Sequence, residues 1–499
     1  MRSALLALVP LRVESLAIGK RPDWKVLRTG MGPARARIAA ARGLAVDSPA
    51  VAIAGLCAGV APELRPGDVV CATELRREGA VPIDVPGSAL LATALRRRGL
   101  RAHAGPILSV ERITGPRKRR ALRYDGVLAV DMESAWLAEA ADGRPLAVLR
   151  VVVDSANRRL LDPRTIVAGI RALRNLRRAA AALDDWAGAV GPRRVLLAGP
   201  RSFCAGVERA IETVELALEQ RGAPVYVRKQ IVHNEHVVAD LESRGAVFVE
   251  ELDEVPEGAT VVFSAHGVAP AVRTAAEARR LDVIDATCPL VSKVHAEARH
   301  FAAAGQTIFL VGHAGHEEVE GTQGEAPDVI RVVQDVREAE LIDAPDPTRV
   351  SFLTQTTLAV DETNEVVDAL RRRFPLLRAP NSDDICYATT NRQQSVRAVA
   401  QNADVVLVVG SQTSSNSLRL VEVARREGTS AYLIDDEADV DVAWLRDAHT
   451  VGLTAGASAP EQLVDRLVAA LRGLGPVDVE ERTTTTESVS FRIPREVRS

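Results

Sequence analysis

The sequence is poor in aromatic residues, and its positive and negative charges nearly cancel. Phe, Trp and Tyr together make up 3% of the 499 residues, and the formal net charge is −3. Proteins that bind nucleic acids usually present a basic surface and aromatic side chains on which bases stack. We therefore expect no nucleic-acid partner.

Long apolar runs are also missing. No stretch approaches the roughly 18 apolar residues of a membrane-spanning helix, so we expect no stable membrane insertion. The opening MRSALLALVP is followed at once by Arg12 and Glu14, without a small-residue cleavage site, which favours a buried strand over a signal segment. The five cysteines are an odd number, which argues against a disulfide framework and for a reducing, cytoplasmic location.

Several cofactor motifs are absent from the second half of the chain. It contains no Walker A sequence and no G-x-G-x-x-G, so a mononucleotide or dinucleotide is not indicated. It contains no paired C-x₂₋₄-C, the usual arrangement of zinc ligands. Zinc held by histidines and cysteines, as in a zinc-dependent hydrolase, remains an alternative.

The chain alternates apolar, strand-like runs with helical patterns, which indicates an α/β protein. The runs VAIAGL and PLAVLRVVVDS belong to a predicted βαβ sheet, which a helix from about Pro163 to Ala189 follows. GPRR marks a linker, and a new strand starts at Val195. We predict two domains, residues 1–190 and 193–499, the second with three α/β cycles and a tail that ends in an edge strand.

Three cysteines of the second half share one local setting. A helical pattern begins directly after Cys204, Cys288 and Cys386, and strand-like runs precede the first two. A single buried cysteine is most often a small hydrophobic residue, but three at the same kind of junction indicate thiolates that meet. Three thiolates are the ligand set for an iron–sulfur cluster with one iron open to a substrate.

Histidines and small polar residues recur where the predicted strands end. Ligands bind at the carboxyl ends of strands in α/β sheets, and helix N-termini attract anions, so these residues predict a phosphate or diphosphate site. A simple helix cap would need only one residue of the SSNS run, and Glu318 could be a solvated helix residue. The main candidates are His233, His266, His313, His316, Glu317, Glu318, Thr356, Ser414, Ser415, Asn416, Ser417 and Ser458.

The second half resembles the 4-hydroxy-3-methylbut-2-enyl diphosphate reductase family from about Val195 to Val497. The strings FCAGVERAI, FSAHGV, DATCPLVSKVH, GHAGHEEVEGT, DDICYATTNRQ and TAGASAP carry the resemblance in order. One departure is Ser202, where the family usually has Gly. The resemblance implies three α/β lobes around one [4Fe–4S] cluster, and reductive dehydroxylation of an allylic diphosphate with electrons from a ferredoxin or flavodoxin.

The same resemblance implies the role of each site residue. Cys204, Cys288 and Cys386 would hold the cluster, Thr356 would orient the substrate hydroxyl, and Glu318 would deliver a proton. The residues implied to hold the diphosphate are His233, His266, His316, Ser414, Ser415, Asn416 and Ser458.

The first half resembles the nucleoside phosphorylase and nucleosidase superfamily through GMGPARA, PELRPGD and VDMES. The resemblance implies that Met132 and Glu133 bind a ribose and that Asp154 protonates a departing purine. Glu14 is a weaker candidate for the polar residue near the sugar. The sequence does not distinguish between hydrolysis, with water as the second reactant, and phosphorolysis, with phosphate. Some relatives release adenine from an adenosylated hopane in hopanoid biosynthesis.

Two hypotheses remain for the first half. Either it is a second enzyme, or it is a folded partner or dimerisation module without activity. Glu133 and Asp154 together favour an enzyme, whereas Asp154 as a mere cap for the following helix would favour the module. Cys57 and Cys71 are expected to be packing residues.

Overall fold

The protein, seen in a computed structural model, is described over residues 4–154 and 164–498. The chain divides into two compact units. The first comprises Met1–Val195, Asp436–Val451 and Asp465–Glu480; the second comprises Leu196–Asp435, Gly452–Val464 and Glu481–Ser499.

The N-terminal half alternates strands and helices, as the sequence predicts. Its strands are β1 (Leu5–Val9), β2 (Trp24–Arg28), β3 (Val51–Gly59), β4 (Val69–Arg76), β5 (Ile83–Asp84), β6 (Ala102–Ser109), β7 (Ala129–Asp131) and β8 (Leu146–Asp154). Its helices are α1 (Arg12–Ile18), α2 (Pro33–Leu44), α3 (Ser88–Arg97), α4 (Pro116–Ala121), α5 (Ser134–Leu137) and α6 (Arg164–Gly188). Helix α6 confirms the long helix predicted before the linker, although Pro163 lies outside the described residues.

These strands form one eight-stranded sheet in the order β2-β1-β3-β7-β6-β4-β5, in which β8 pairs with both β3 and β4. Apolar side chains such as Ile53, Val70, Trp136 and Val148 fill its core. The sheet is mixed, because β7 runs antiparallel to β3 and β8 runs antiparallel to β4. β7 and β8 therefore run in opposite directions, which differs from the parallel arrangement of the predicted βαβ sheet.

The C-terminal half contains the remaining elements. Its strands are β9 (Arg193–Gly199), β10 (Val225–Arg228), β11 (Ala246–Val249), β12 (Thr260–Phe263), β13 (Asp282–Asp285), β14 (Thr307–Val311), β15 (Ile330–Val333), β16 (Val350–Thr354), β17 (Val405–Val409), β18 (Ser430–Ile434), β19 (Thr450–Ala455) and β20 (Val477–Thr483). Its helices are α7 (Ala205–Arg221), α8 (Glu235–Ser243), α9 (Pro270–Ala278), α10 (Pro289–Ala303), α11 (Glu317–Gln323), α12 (Val336–Leu341), α13 (Val360–Arg373), α14 (Tyr387–Ala400), α15 (Ser415–Arg426) and α16 (Glu461–Arg472).

Three separate sheets organise this half. Their strand orders are β11-β10-β12-β13, β15-β14-β16 and β18-β17-β19-β9-β20. Neighbours within the first two sheets are parallel, as are β17 and β18. Parallel strands bring their carboxyl ends to one edge, and the loops at these edges carry the candidate residues.

The tail differs from its prediction. The last strand, β20, lies at the edge of its sheet but precedes the tail, and residues 484–494 form no strand. The backbone carbonyls of Arg492 and Val497 accept hydrogen bonds from Arg209 and Gln220 of α7. Side chains thus satisfy groups that a neighbouring strand would otherwise pair with, and Val497 is buried among apolar residues of the second unit.

Candidate functional site

The three cysteines of the second half meet at one cavity. Cys204, Cys288 and Cys386 all line it, and each is the residue that precedes the first turn of a helix, α7, α10 and α14 respectively. Gly206 leaves the space that the sulfurs occupy. A Cβ atom at Gly206 would lie 2.8 Å from the Sγ of Cys288 and 3.8 Å from the Sγ of Cys204.

Burial disfavours the thiolate form of two of these cysteines. It raises the pKa of Cys288 to about 12 and that of Cys386 to about 11, and the neighbouring cysteines act in the same direction. Backbone N–H groups of Leu290 and Val291 favour the thiolate of Cys288, and Thr389 does so for Cys386. The N-termini of α10 and α14 therefore supply donors to these two sulfurs, and a bound cation would favour their thiolate forms further.

Three histidines form a second side of the same cavity. His233, His266 and His316 follow β10, β12 and β14, and their ring centroids lie 4.2 to 5.9 Å apart. Burial, together with the neighbouring histidines, lowers the pKa of His233 to about 2 and that of His316 to about 4. The carboxylate of Glu317 lies 3.2 Å from Nδ1 of His266.

Serine and asparagine side chains complete the polar wall. Ser414 precedes α15, and its hydroxyl accepts the N–H of Ser417 at 3.3 Å, while the Ser458 hydroxyl donates to the carbonyl of His233 at 3.1 Å. Within the described residues, Ser415 Oγ and both amide atoms of Asn416 are buried without a hydrogen-bond partner. Buried polar atoms are normally paired, so these atoms and the N-terminus of α15 are suited to an anionic ligand.

Glu318 is almost fully buried, and Thr356 binds its carboxylate. Its carboxylate accepts the backbone N–H of Thr356 at 2.6 Å and the Thr356 hydroxyl at 3.1 Å. Burial raises the pKa of Glu318, although both hydrogen bonds act to lower it. A carboxyl group in this state can hold a proton and release it through the hydroxyl next to it.

The structure thus brings the residues that the resemblance assigned in the second half to one cavity, whereas the further candidates His313, Glu317 and Ser417 are not among its lining residues. The cavity is lined by Cys204, His233, His266, Cys288, His316, Glu318, Thr356, Cys386, Ser414, Ser415, Asn416 and Ser458. It is also lined by Tyr387 and Phe491, which the sequence interpretation did not include. Tyr387 could have been suspected from its place beside Cys386. Phe491 gave no local signal, because it lies in the tail.

A second cavity lies in the first unit. Glu14, Met132, Glu133 and Asp154 line it together with apolar residues. The carboxylate of Glu14 accepts the N–H groups of Leu11 and Leu56 at 2.6 and 2.8 Å. Burial raises the pKa values of Glu14, Glu133 and Asp154.

Asp154 reaches this cavity from the last position of β8. It lies beside Ala58 in the pairing of β3 with β8, and Val130 of β7 lies on the other side of Ala58. The short antiparallel β7 therefore meets the end of β3, which brings Met132 and Glu133 near Asp154 although β7 and β8 run in opposite directions. Arg119 forms an ion pair with Asp154 at 2.8 Å. Residues 155–163, on which the interpretation of Asp154 as a helix cap depends, lie outside the described residues.

Arg150 is the main residue that the sequence interpretation missed. It is fully buried on β8, lies 2.8 Å from Asp131 and 3.7 Å from Glu133, and donates to the Ser134 hydroxyl. Burial acts to lower the pKa of Arg150, but the surrounding carboxylates raise it overall. The available signal was one arginine inside the apolar run LAVLRVVVD.

Each half of the chain matches the profile of a known protein family. A profile described as LytB protein matches residues 195–472, and one described as Phosphorylase superfamily matches residues 20–185. The chain belongs to the LytB protein family, joined to an N-terminal phosphorylase-superfamily domain.

Individual relatives of the chain are named as reductases. The chain is 59% identical over 315 residues to 4-hydroxy-3-methylbut-2-enyl diphosphate reductase 1 of Mycobacterium tuberculosis, covering 62% of this chain and 96% of that protein. The reductase of Acidothermus cellulolyticus is 60% identical over 307 residues, or 61% and 90% of the two chains. A solved structure of the Plasmodium falciparum E-1-hydroxy-2-methyl-but-2-enyl-4-diphosphate reductase is 36% identical, covers 62% and 97%, and has a TM-score of 0.59.

Among residues 4–154 and 164–498, no helix combines the length and the apolar character that a membrane span needs.

Proposed function

We propose that the second half reduces 4-hydroxy-3-methylbut-2-enyl diphosphate to isopentenyl and dimethylallyl diphosphates, as in the methylerythritol phosphate route to isoprenoids. The observation that carries this proposal is one cavity lined by three cysteines, three histidines and the Ser414–Asn416 segment. Relatives with 59 and 60% identity carry the name of this reductase.

The cysteines fit a [4Fe–4S] cluster. All three line one cavity, the N-termini of α10 and α14 supply donors to Cys288 and Cys386, and burial disfavours the thiolates of these two cysteines unless a cation compensates. Cys204, Cys288 and Cys386 would hold the cluster, which supplies electrons and an open Lewis-acid position. We propose a ferredoxin or flavodoxin as the electron donor.

The remaining side chains bind the diphosphate and move a proton. His233, His266, His316 and the polar wall around Asn416 would hold the diphosphate. In the reaction two electrons and two protons convert the allylic alcohol to an alkene and water. Glu318 would pass one proton through the Thr356 hydroxyl to the departing oxygen, and the second proton adds to the allylic carbon.

Loss of one sulfur ligand tests the cluster assignment. Cys288→Ser should abolish retention of iron and of the absorption near ~400 nm after anaerobic reconstitution, because serine is a poor ligand for iron–sulfur clusters. The matched control is Cys71→Ser, at a buried cysteine of the first half, which should leave the iron content unchanged. Full iron content in Cys288→Ser would overturn the assignment.

For the first half we propose cleavage of a purine nucleoside. Asp154, whose carboxyl pKa is raised by burial, would protonate the departing purine, while Met132 and Glu133 would hold the ribose. Water is the better second reactant, because the charged residues that line the described cavity, Glu14, Asp131, Glu133 and Asp154, are all acidic. Arg150 is fully buried and paired with Asp131 and Glu133, which neutralise it, so an incoming phosphate would meet repulsion.

The rim of this cavity supports an apolar substituent on the nucleoside. Met31 and Ile113 line the cavity and are 48% and 62% exposed, and Leu11 lies beside them in the lining. An adenosylated hopane carries a nucleoside at one end and a large apolar group at the other. We propose this class of substrate for the first half.

Release of adenine by the full chain tests the second activity. Adenosylated hopane or a simpler purine nucleoside should yield free adenine without added phosphate, and Asp154→Asn should reduce the rate by about 10²- to 10⁴-fold. The reductase activity of the same Asp154→Asn protein serves as the internal control and should be unchanged. If no purine nucleoside is cleaved, with or without phosphate, the first half is a partner or dimerisation module.

A further inference from the structure

Arg392 connects two of the cysteine segments. It is fully buried in the second turn of α14, the helix that begins after Cys386. Its guanidinium donates to the carbonyl of Ser202 at 2.8 and 3.1 Å and to the carbonyl of Phe203 at 3.1 Å. These two carbonyls belong to the residues directly before Cys204.

The receiving loop is unusually constrained. Ser202 has a φ of 58°, a left-handed conformation that a residue with a side chain adopts only at a cost in energy. Its hydroxyl donates to Glu461 at 2.5 Å, and the N–H of Cys204 donates to the carbonyl of Ala457 at 3.3 Å. The left-handed turn therefore needs outside support, and the Arg392 guanidinium supplies donors to the carbonyls of Ser202 and Phe203.

A third segment neutralises the buried guanidinium. Glu487, in the C-terminal tail, accepts from Arg392 at 3.0 Å and from Asn391 at 3.0 Å. A buried cation without a carboxylate partner would be strongly unfavourable. Farther along the tail, Phe491 lines the cysteine cavity, and the carbonyl of Arg492 accepts from Arg209 of α7 at 2.8 Å.

We propose that Arg392 is a positioning residue that fixes Cys204 relative to Cys386, with Glu487 as its counter-ion. The proposal rests on the proposed cluster at the three cysteines. A planar guanidinium can serve several carbonyls at once, whereas a lysine ammonium is a flexible point charge that cannot reproduce this fork. The spacing of the two sulfurs then depends on hydrogen bonds that do not involve a sulfur ligand.

Arg392→Lys tests this role, because it keeps the charge and removes the fork. We expect cluster affinity to fall by about 10- to 100-fold, the range seen when groups that orient metal ligands are lost. The measurements are iron and sulfide content after anaerobic reconstitution, the half-life of the cluster in air, and its electron paramagnetic resonance line shape. Thermal unfolding checks that the variant is folded.

The matched control lies on the same helix. Arg397 pairs with Asp361 and with Glu427, so Arg397→Lys should keep the iron content, air half-life and spectrum of the wild-type protein. Glu487→Gln should shorten the air half-life in the same direction by a smaller factor, since the fork remains and only its counter-ion is lost.

Each outcome decides the matter. The proposal is overturned if Arg392→Lys has the iron content, air half-life and line shape of the wild-type protein. If Arg392→Lys does not fold, a wild-type air half-life in Glu487→Gln overturns the proposal instead. A wild-type protein that binds no iron instead refutes the cluster assignment itself, so the two failures are distinguishable.

Discussion

Glu318 and Asp154 are buried carboxyl groups at the two cavities, and their partners differ. The carboxylate of Glu318 accepts hydrogen bonds from the backbone N–H and the hydroxyl of Thr356, whereas Asp154 is paired with the guanidinium of Arg119. Burial raises the pKa of both groups. The Arg119 guanidinium opposes the rise in pKa at Asp154, whereas the hydrogen bonds from Thr356 and the nearby His266 oppose it at Glu318.

Replacement of Glu318 by Gln should preserve the shape of the site and remove the proton. We expect the turnover rate to fall by about 10²- to 10⁴-fold, with iron content and the Michaelis constant retained. Because the pKa is raised, the wild-type rate should decline only as the pH rises through that elevated value, and the variant should lack this decline. Glu320→Gln, at an exposed residue of the same helix, is the control. A wild-type rate in Glu318→Gln would assign Glu318 a purely structural role.

The lowered pKa values of His233 and His316 predict proton uptake when an anion binds. Both imidazoles are neutral at pH 7 in the free protein, and a bound diphosphate would stabilise their charged forms and raise both pKa values. Calorimetry of inorganic pyrophosphate binding in buffers of different ionisation enthalpy should therefore report proton uptake that increases from pH 8 to pH 6. His316→Asn should reduce the uptake and weaken binding, whereas His300→Asn, at an exposed residue of α10, should change neither. Unchanged uptake in His316→Asn would contradict this account.

At the scale of elements, the sequence predicted the features that follow from local rules. Cys204, Cys288 and Cys386 each precede a helix, as their flanking patterns indicated, and His233 and Ser458 follow strands β10 and β19. Strand-to-loop junctions are readable in sequence, because an apolar run ends where a polar cluster begins. Parallel strands place such residues at one edge of each sheet, whereas the meeting of residues from three sheets at one cavity depends on packing that no local pattern encodes.

Other features depend on pairings between distant segments. The antiparallel run of β7 could not be read from VDMES, since three residues contain no information on direction. Arg150 looked like an irregularity in an apolar strand because its partners, Asp131 and Glu133, come from β7 and the residues after it. The tail resembled a strand by its alternation, yet its backbone is bound by side chains of α7. In each case the deciding partner lies far away in the sequence.

The whole molecule joins two families whose members need not share a chain. The reductase of M. tuberculosis is matched over 96% of its length by 62% of this chain. This relative therefore corresponds to the second half of the chain alone. The two activities proposed here would act at opposite ends of isoprenoid metabolism, on a small diphosphate and on a large apolar product, and one chain would supply both in a fixed ratio.

A fragment of residues 193–499 should therefore fold, retain iron and reduce its substrate at the rate of the full chain. Its stability should be lower, because residues 436–451 pack in the first unit, where Thr93 donates to the carbonyl of Ala438 and Arg97 lies 2.8 Å from Asp441. Each kcal/mol lost lowers the melting temperature of a domain of this size by about 2–4 °C.

Thermal unfolding and iron content of the fragment and of the full chain measure both effects. A full-length protein with Arg97→Ala is the matched control for the lost contacts, and its melting temperature should lie between the two. An insoluble fragment, or a soluble one that binds no iron, would mean that the halves share a core and that the linker before Arg193 does not separate two independent folding units.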